Sequence, residues 1–124
     1  MNLYFLVEGR RTEAKVYPAW LRHLLPDHNR VMNAWAADKS NYYLFSGEGY
    51  PSILSHLKVA IEEINEIGKY QFLLVCVDAD EATVEERETE IYRFLHLNRI
   101  RLRGCELKII VQNRAIESWF LGNE

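Results

Sequence analysis

Cysteine is scarce in this sequence: Cys76 and Cys105 are the two among 124 residues, and they form neither a metal-ligand pair nor a redox C-x-x-C. Nothing in that usage requires an oxidising compartment, and Cys76, inside an apolar run, reads as a buried thiol. The four histidines, His23, His28, His56 and His96, show no ligand spacing and read as helix-surface or loop residues. No apolar run approaches the roughly 18 residues of a membrane span. The apolar start, residues 2–7, is too short for a secretory leader and meets Glu8 at once. There is no internal repeat, low-complexity segment or domain linker. Positive charge is not in excess either. With 15 Lys and Arg against 18 Asp and Glu the net charge is −3, so nucleic-acid binding would need a local basic patch or a bridging metal.

These absences leave one cytoplasmic domain, 1–124, with no membrane partner. At 48% hydrophobic and 27% charged, the chain has enough apolar material for one sizeable core. Its last residues, IESWFLGNE, read like the opening of another helix, so a fragment of a longer chain is compatible with the sequence. Oligomeric state is not legible in it.

What is present is an alternation of strands and helices. Leu3 to Val7 reads as a buried strand that Gly9 breaks. Thr12 fits a helix N-cap, with Tyr17, Trp20, Leu21, Leu24 and Leu25 at helical spacing and Pro26 as the stop. Residues 27–41 are ambiguous, and "VMNAWAA" could form a short strand. "YYLF", 42–45, predicts a second core strand. A helix then starts at Pro51 or Ser52, with Ile53, Leu54, Leu57, Ala60, Ile61, Ile64 and Ile67 on one stripe and Gly68 as its C-terminal cap. Phe72 to Val77 is a continuous apolar run, suited to a parallel strand covered on both faces. Residues 83–98 predict a helix with Val84, Ile91, Phe94 and Leu95 inward. "ELKIIV", 106–111, predicts a fourth strand, and "AIESWFL" turns helical. The expected fold class is therefore α/β: a single three-layer, Rossmann-like α/β/α domain with a mostly parallel sheet of about four strands and right-handed crossovers.

In such sheets, sites form beyond the carboxyl ends of the strands. The first strand is followed by Glu8-Gly9-Arg10-Arg11, the second by Ser46-Gly47-Glu48-Gly49, the third by Asp78-Ala79-Asp80-Glu81, and the fourth by Gln112-Asn113-Arg114. Asp78 and Asp80, two residues apart, would point the same way if strand geometry continued, and Glu8 would join them if the first and third strands were neighbours. Two carboxylates about 4 Å apart repel by roughly 4 kcal/mol at an effective dielectric of about 20. A shared proton or a cation relieves that repulsion. Hard oxygen donors without histidine or cysteine point to Mg²⁺ or Mn²⁺. The plain alternative is a polar loop with a helix N-cap.

"LYFLVEGRRTEAKVYPAWL" followed by "FLLVCVDAD" resembles the Toprim domain, which carries a glutamate after its first strand and a D-x-D after a later one. The "VEG-x-x-TE" form and "AIESWFL" resemble the small OLD-related branch. Toprim domains occur in topoisomerases, primases and OLD-type nucleases, many of which act in phage defence. The resemblance implies a single Toprim-like domain acting as a Mg²⁺- or Mn²⁺-dependent nuclease or related phosphodiester-cleaving protein, in phage defence or DNA repair, with nucleic acid as partner. It makes Glu8 the general acid/base or a metal ligand and Asp78 and Asp80 the metal ligands. Further acidic ligands of a two-metal design fall near Glu85 and Glu13. Both also have ordinary readings, Glu13 as an acid in a first helical turn and Glu85 as part of a solvated helix. Arg10, Arg11 and Arg114 lie at the same edge as phosphate contacts, and Glu117 is a further candidate there, while Trp119 and Phe120 read as core.

The sequence departs from that family in two respects. It has no G-x-x-x-x-G-K-[ST], so the ATPase domain of OLD proteins is absent from these residues, and an ATPase or other protein partner is compatible with that absence. The lysine of OLD nucleases has no clear counterpart before Glu124. A non-catalytic Toprim-fold binding module is therefore one alternative. Another is a haloacid-dehalogenase-like phosphatase, suggested by "DADEAT", although the threonine of that motif belongs at position 82, which is alanine, and the motif normally follows the first strand. The basic run "NRIRLRG", with Arg99, Arg101 and Arg103, falls at the opposite edge and reads as a solvated or partner-facing surface.

Overall fold

The computed structural model describes residues 1–8, 21–46, 52–78 and 83–112. Five strands, β1 (Leu3–Val7), β2 (Asn29–Val31), β3 (Asn41–Ser46), β4 (Phe72–Asp78) and β5 (Glu106–Gln112), form one sheet in the order β2-β3-β1-β4-β5. All its pairings are parallel. Helices α1 (Ser52–Ile67) and α2 (Val84–Leu97) follow β3 and β4. The helix expected to stop at Pro26 is described from its last turn, 21–24, where the Leu25 N–H donates to the Leu21 carbonyl at 2.7 Å. Among the described residues no helix is long and apolar enough to cross a membrane.

The sheet has one strand more than the four expected. The extra strand, β2, is three residues long and lies at the sheet edge. It takes only Val31 from "VMNAWAA", because Asn33 then turns the chain. The Asn33 side chain accepts from the Trp35 N–H at 2.9 Å, capping a 3-10 turn, Ala34–Ala36.

Alternation along the strands sorts the core into two faces. Tyr4 and Leu6 of β1 and Leu73, Val75 and Val77 of β4 pack with Ile53, Leu57, Ile61 and Ile64 of α1 and Ile91 of α2. Leu3, Phe5 and Val7 of β1, Tyr42 and Leu44 of β3, and Cys76 pack on the other face with Leu21 and Leu25. The domain is therefore three layers, with α1 and α2 on one side of the sheet and the helix that ends at 24 on the other. β4 is apolar from Phe72 to Val77 because both its faces are covered, and Cys76 is buried within it. α1 ends at Gly68, whose N–H reaches the Ile64 carbonyl at 2.9 Å. Its φ of +69° is one that glycine adopts without a Cβ clash.

Two side chains expected to face the core do not. Leu24 is 50% and Val84 45% exposed. In α2 the inward stripe starts instead at Arg87 and runs through Ile91, Phe94 and Leu95, at i, i+4, i+7 and i+8.

Polar groups close the amino-terminal edge of the sheet. Asn2 is 3% exposed. Its side-chain amide donates to the carbonyls of Asp38 at 3.0 Å and Lys69 at 2.9 Å and accepts from the Asn41 N–H at 2.9 Å. Near this edge, Tyr4 donates its hydroxyl to Glu63 at 2.8 Å, with Tyr43 and Tyr70 edge-on to its ring at 5.1 and 5.3 Å. Tyr70 donates to the Ala34 carbonyl at 2.7 Å. Burial, and then the neighbouring Glu63 carboxylate, raise the pKa of both Tyr4 and Tyr70 well above the ordinary phenol value. These phenols hold α1, the sheet and the 3-10 turn together.

Candidate functional site

The carboxyl edge differs from the amino edge in where the chain goes next. After β1 it reaches the face covered by Leu21 and Leu25, and after β4 it enters α2 on the opposite face. β1 and β4 are hydrogen-bonded neighbours. Two adjacent parallel strands whose onward connections part to opposite faces open a crevice between their carboxyl ends.

Glu8 stands at the first lip of that crevice. Its N–H donates to the Cys76 carbonyl at 3.0 Å, so pairing with β4 continues one residue past the end of β1. The register Val7↔Cys76 sets Glu8 level with Val77. Asp78, the last residue of β4, is one step further along the neighbouring strand and opposite Gln112 of β5. The condition under which Glu8 could join the D-x-D segment, a shared strand boundary, is thus met by the backbone.

One partner of the Glu8 side chain comes from α2. Arg87 Nη2 donates to both carboxylate oxygens, at 3.2 Å to Oε2 and 3.4 Å to Oε1. The Arg87 and Glu8 side chains are 10% and 11% exposed. A charge pair so far removed from water depends on its geometry, and loss of either member typically costs about 3–5 kcal/mol because the other remains buried and uncompensated. Arg87 therefore supplies counter-charge and orientation to the glutamate at the crevice. Hydrophobic-stripe reasoning places an arginine outward by default and so missed it. The signal was its spacing, four residues before Ile91 and seven before Phe94.

The start of α2 explains how Arg87 is aimed. Thr83 is the N-cap: its hydroxyl accepts from the Glu86 N–H at 3.1 Å, and the Glu86 side chain accepts from the Thr83 N–H at 3.2 Å. This reciprocal capping box fixes the first turn, and Arg87 follows directly. The N-cap that the plain reading of "DAD" calls for is thus Thr83.

Glu85, proposed from sequence as a metal ligand, is exposed and lines an open depression along the outer side of α2 with Glu88, Thr89, Tyr92, Arg93 and His96. Two residues separate it from Arg87, about 200° around the helix, so it faces away from the side that reaches Glu8. Asp80, Glu13, Arg10, Arg11, Arg114, Glu117, Trp119 and Phe120 lie outside the described residues. Among the described residues no group of three or more His, Cys, Asp or Glu side chains is arranged to hold a metal ion; Asp80 is not among them, and Asp78 is described by its backbone position. The donor chemistry at this edge, carboxylate oxygen from Glu8 with Asp78 ending β4 and Asp80 two residues later in the sequence, fits a hard divalent cation.

Comparison with protein-family models, curated proteins and solved structures finds no match to this chain.

Proposed function

We propose that this chain is a Toprim-like, Mg²⁺- or Mn²⁺-dependent phosphodiester-cleaving protein acting on nucleic acid at the crevice between β1 and β4. The reading is supported above all by the β1–β4 register, which brings Glu8 and Asp78 onto neighbouring strands at a topological switch point. The order of the motifs, a glutamate after the first strand and D-x-D after a later one, supports it independently.

Glu8, Asp78 and Asp80 would hold the cation. When bound, it would acidify a coordinated water and offset charge on the leaving oxygen. Glu8 has a second task open to it, accepting the proton of the attacking water at a carboxylate oxygen. Arg87 keeps that carboxylate from rotating away and limits the charge the crevice accumulates when a polyanion enters. The family's association with phage defence and DNA repair gives the cellular settings in which such cleavage would be used.

One observation favours a second reading, a non-catalytic module. Glu8 already has counter-charge from Arg87 at 3.2 Å, so the edge is neutralised in part without a metal. The deciding experiment incubates the protein and Asp78→Ala with DNA and with RNA in the presence of Mg²⁺ or Mn²⁺. Cleavage by the wild type that is lost in the variant supports the enzyme. No cleavage by either, together with no metal-dependent rise in melting temperature, overturns it. Hydrolysis of a small phosphoester with a trapped aspartyl-phosphate would identify a phosphatase instead.

A further inference from the structure

The basic run at the opposite edge has a built form that a merely solvated surface does not require. Between α2 and β5, Ile100, Leu102 and Cys105 pack against the main core, while Arg99, Arg101 and Arg103 are exposed. The backbone that presents them is pinned from two sides. On α1, the Asn65 side chain donates to the Arg101 carbonyl at 2.8 Å and accepts from the Arg103 N–H at 2.8 Å. On α2, the Leu95 carbonyl accepts from the Ile100 N–H at 2.9 Å. Arg99 turns the chain off the helix in the left-handed region, at φ +53°.

Arg101 and Arg103 thus stand on one side of a fixed segment, at most about 7 Å apart along the chain. Arg99 stands at its start, beside a surface depression that it lines with Leu95, His96, Ile100 and Arg101. None of the three arginines is in an ion pair among the described residues. Glu106, the nearest acid that follows in the chain, is engaged by Lys108 at 2.8 Å. The run from Asn98 to Gly104 contains no acid at all, in a chain whose net charge is −3.

We propose that this segment is a second nucleic-acid contact surface that grips the sugar–phosphate backbone without reading bases. Three features select that partner. Guanidinium groups bind phosphate oxygens in a bidentate manner that lysine cannot reproduce. The arginines form a short row, which suits a linear polyanion. Clamping by Asn65 means the loop loses little conformational freedom on binding. The surface lies at the amino ends of the strands, a β4 length of roughly 20 Å from the crevice. It therefore adds a contact remote from cleavage and does not depend on the carboxyl-edge reading.

The test is fluorescence anisotropy with labelled oligothymidylate and oligouridylate in EDTA, which silences metal-dependent binding at the crevice, across a series of salt concentrations. For the triple variant Arg99→Ala, Arg101→Ala, Arg103→Ala, affinity falls by more than about tenfold at low salt and the slope of log affinity against log salt shrinks by about 2, at about 0.7 per phosphate contact on a single strand. Asn65→Ala leaves all three charges in place, yet weakens binding while retaining the slope. Lys58→Ala, which removes an exposed cation of α1, leaves binding unchanged. All variants are checked for the wild-type circular dichroism spectrum. The proposal is overturned if the wild type does not bind, if the triple variant binds like the wild type, or if Lys58→Ala costs as much as the arginines. Labelled polyglutamate binding as tightly as the oligonucleotides would also overturn it and make the surface a dock for an acidic protein.

Discussion

Arg87 and Glu8 are 79 residues apart in the chain and meet at 3.2 Å where α2 passes over the carboxyl end of β1. The contact ties the helix that follows the D-x-D segment to the strand that carries the glutamate, so the two halves of the candidate site share one mechanical link. Arg87→Met takes the Arg87 counter-charge away from the largely buried Glu8. A loss of about 3–5 kcal/mol in unfolding free energy is expected, read by urea denaturation. Glu8→Gln/Arg87→Met should lose less than the two single changes added together, because neither charge is then stranded. Strict additivity of the two would mean that the pair is not coupled.

Metal binding offers a readout that does not depend on turnover. A ligand that binds only the folded chain stabilises it by about 2.7 kcal/mol at one hundred times its dissociation constant. For a domain of this size, that corresponds to a rise of several degrees in melting temperature. Saturating Mg²⁺ or Mn²⁺ should produce the rise in the wild type, and Asp78→Ala and Glu8→Gln should each abolish most of it. Glu85→Gln should keep it, since Glu85 lies on the outer side of α2. Loss of the shift in Glu85→Gln would restore that residue to the ligand set.

The parts legible in the sequence were those where hydrophobicity alone decides the position. Ile53, Leu57, Ala60, Ile61 and Ile64 of the α1 stripe are buried as their spacing implies, and the apolar run Phe72 to Val77 of β4 reflects a strand covered on both faces. β2 shares only Val31 with the short strand that "VMNAWAA" suggests, because Asn29 and Arg30 carry no apolar signal; the strand exists through pairing with β3, a tertiary effect. Arg87 escaped for a related reason. Its burial is made tolerable by a carboxylate far away in sequence, which a local pattern cannot reveal. Strand order is of the same kind. Alternating strands and helices imply a parallel sheet, but the placement of β1 between β3 and β4 depends on which crossover passes which face.

The tyrosine cluster makes the domain sensitive to alkali. Tyr4 and Tyr70 are each 2% exposed and have folded-state pKa values raised by burial and by Glu63. In the unfolded chain they titrate near the usual value of about 10. Their contribution to stability is therefore complete below pH 10 and is lost as pH rises above it, because the unfolded phenols release protons that the folded ones retain. Each group costs up to roughly 1.4 kcal/mol per pH unit in that window. Urea midpoints should be flat from pH 7 to 9 and fall steeply above 10, and Tyr70→Phe should make the fall shallower. An unchanged slope in that variant would show that other groups control the alkaline limit.

Thr83 links the capping of α2 to the candidate site. Thr83→Ala removes the hydroxyl that accepts from the Glu86 N–H, a loss that typically costs about 1 kcal/mol. Thr83→Ser retains the acceptor and should cost little. The first turn of α2 also aims Arg87 at Glu8, so fraying there should be felt at the crevice as well as in global stability. Amide hydrogen exchange should accelerate at Glu86 and Arg87 in Thr83→Ala, and the Glu8 amide, bonded to the Cys76 carbonyl at 3.0 Å, should stay protected because it belongs to the sheet. Coupling between Glu8→Gln and Arg87→Met should shrink in the Thr83→Ala background, since a loosened first turn holds the guanidinium less firmly over the carboxylate. If that coupling keeps its full value, packing around Ile91 orients Arg87 without help from the cap.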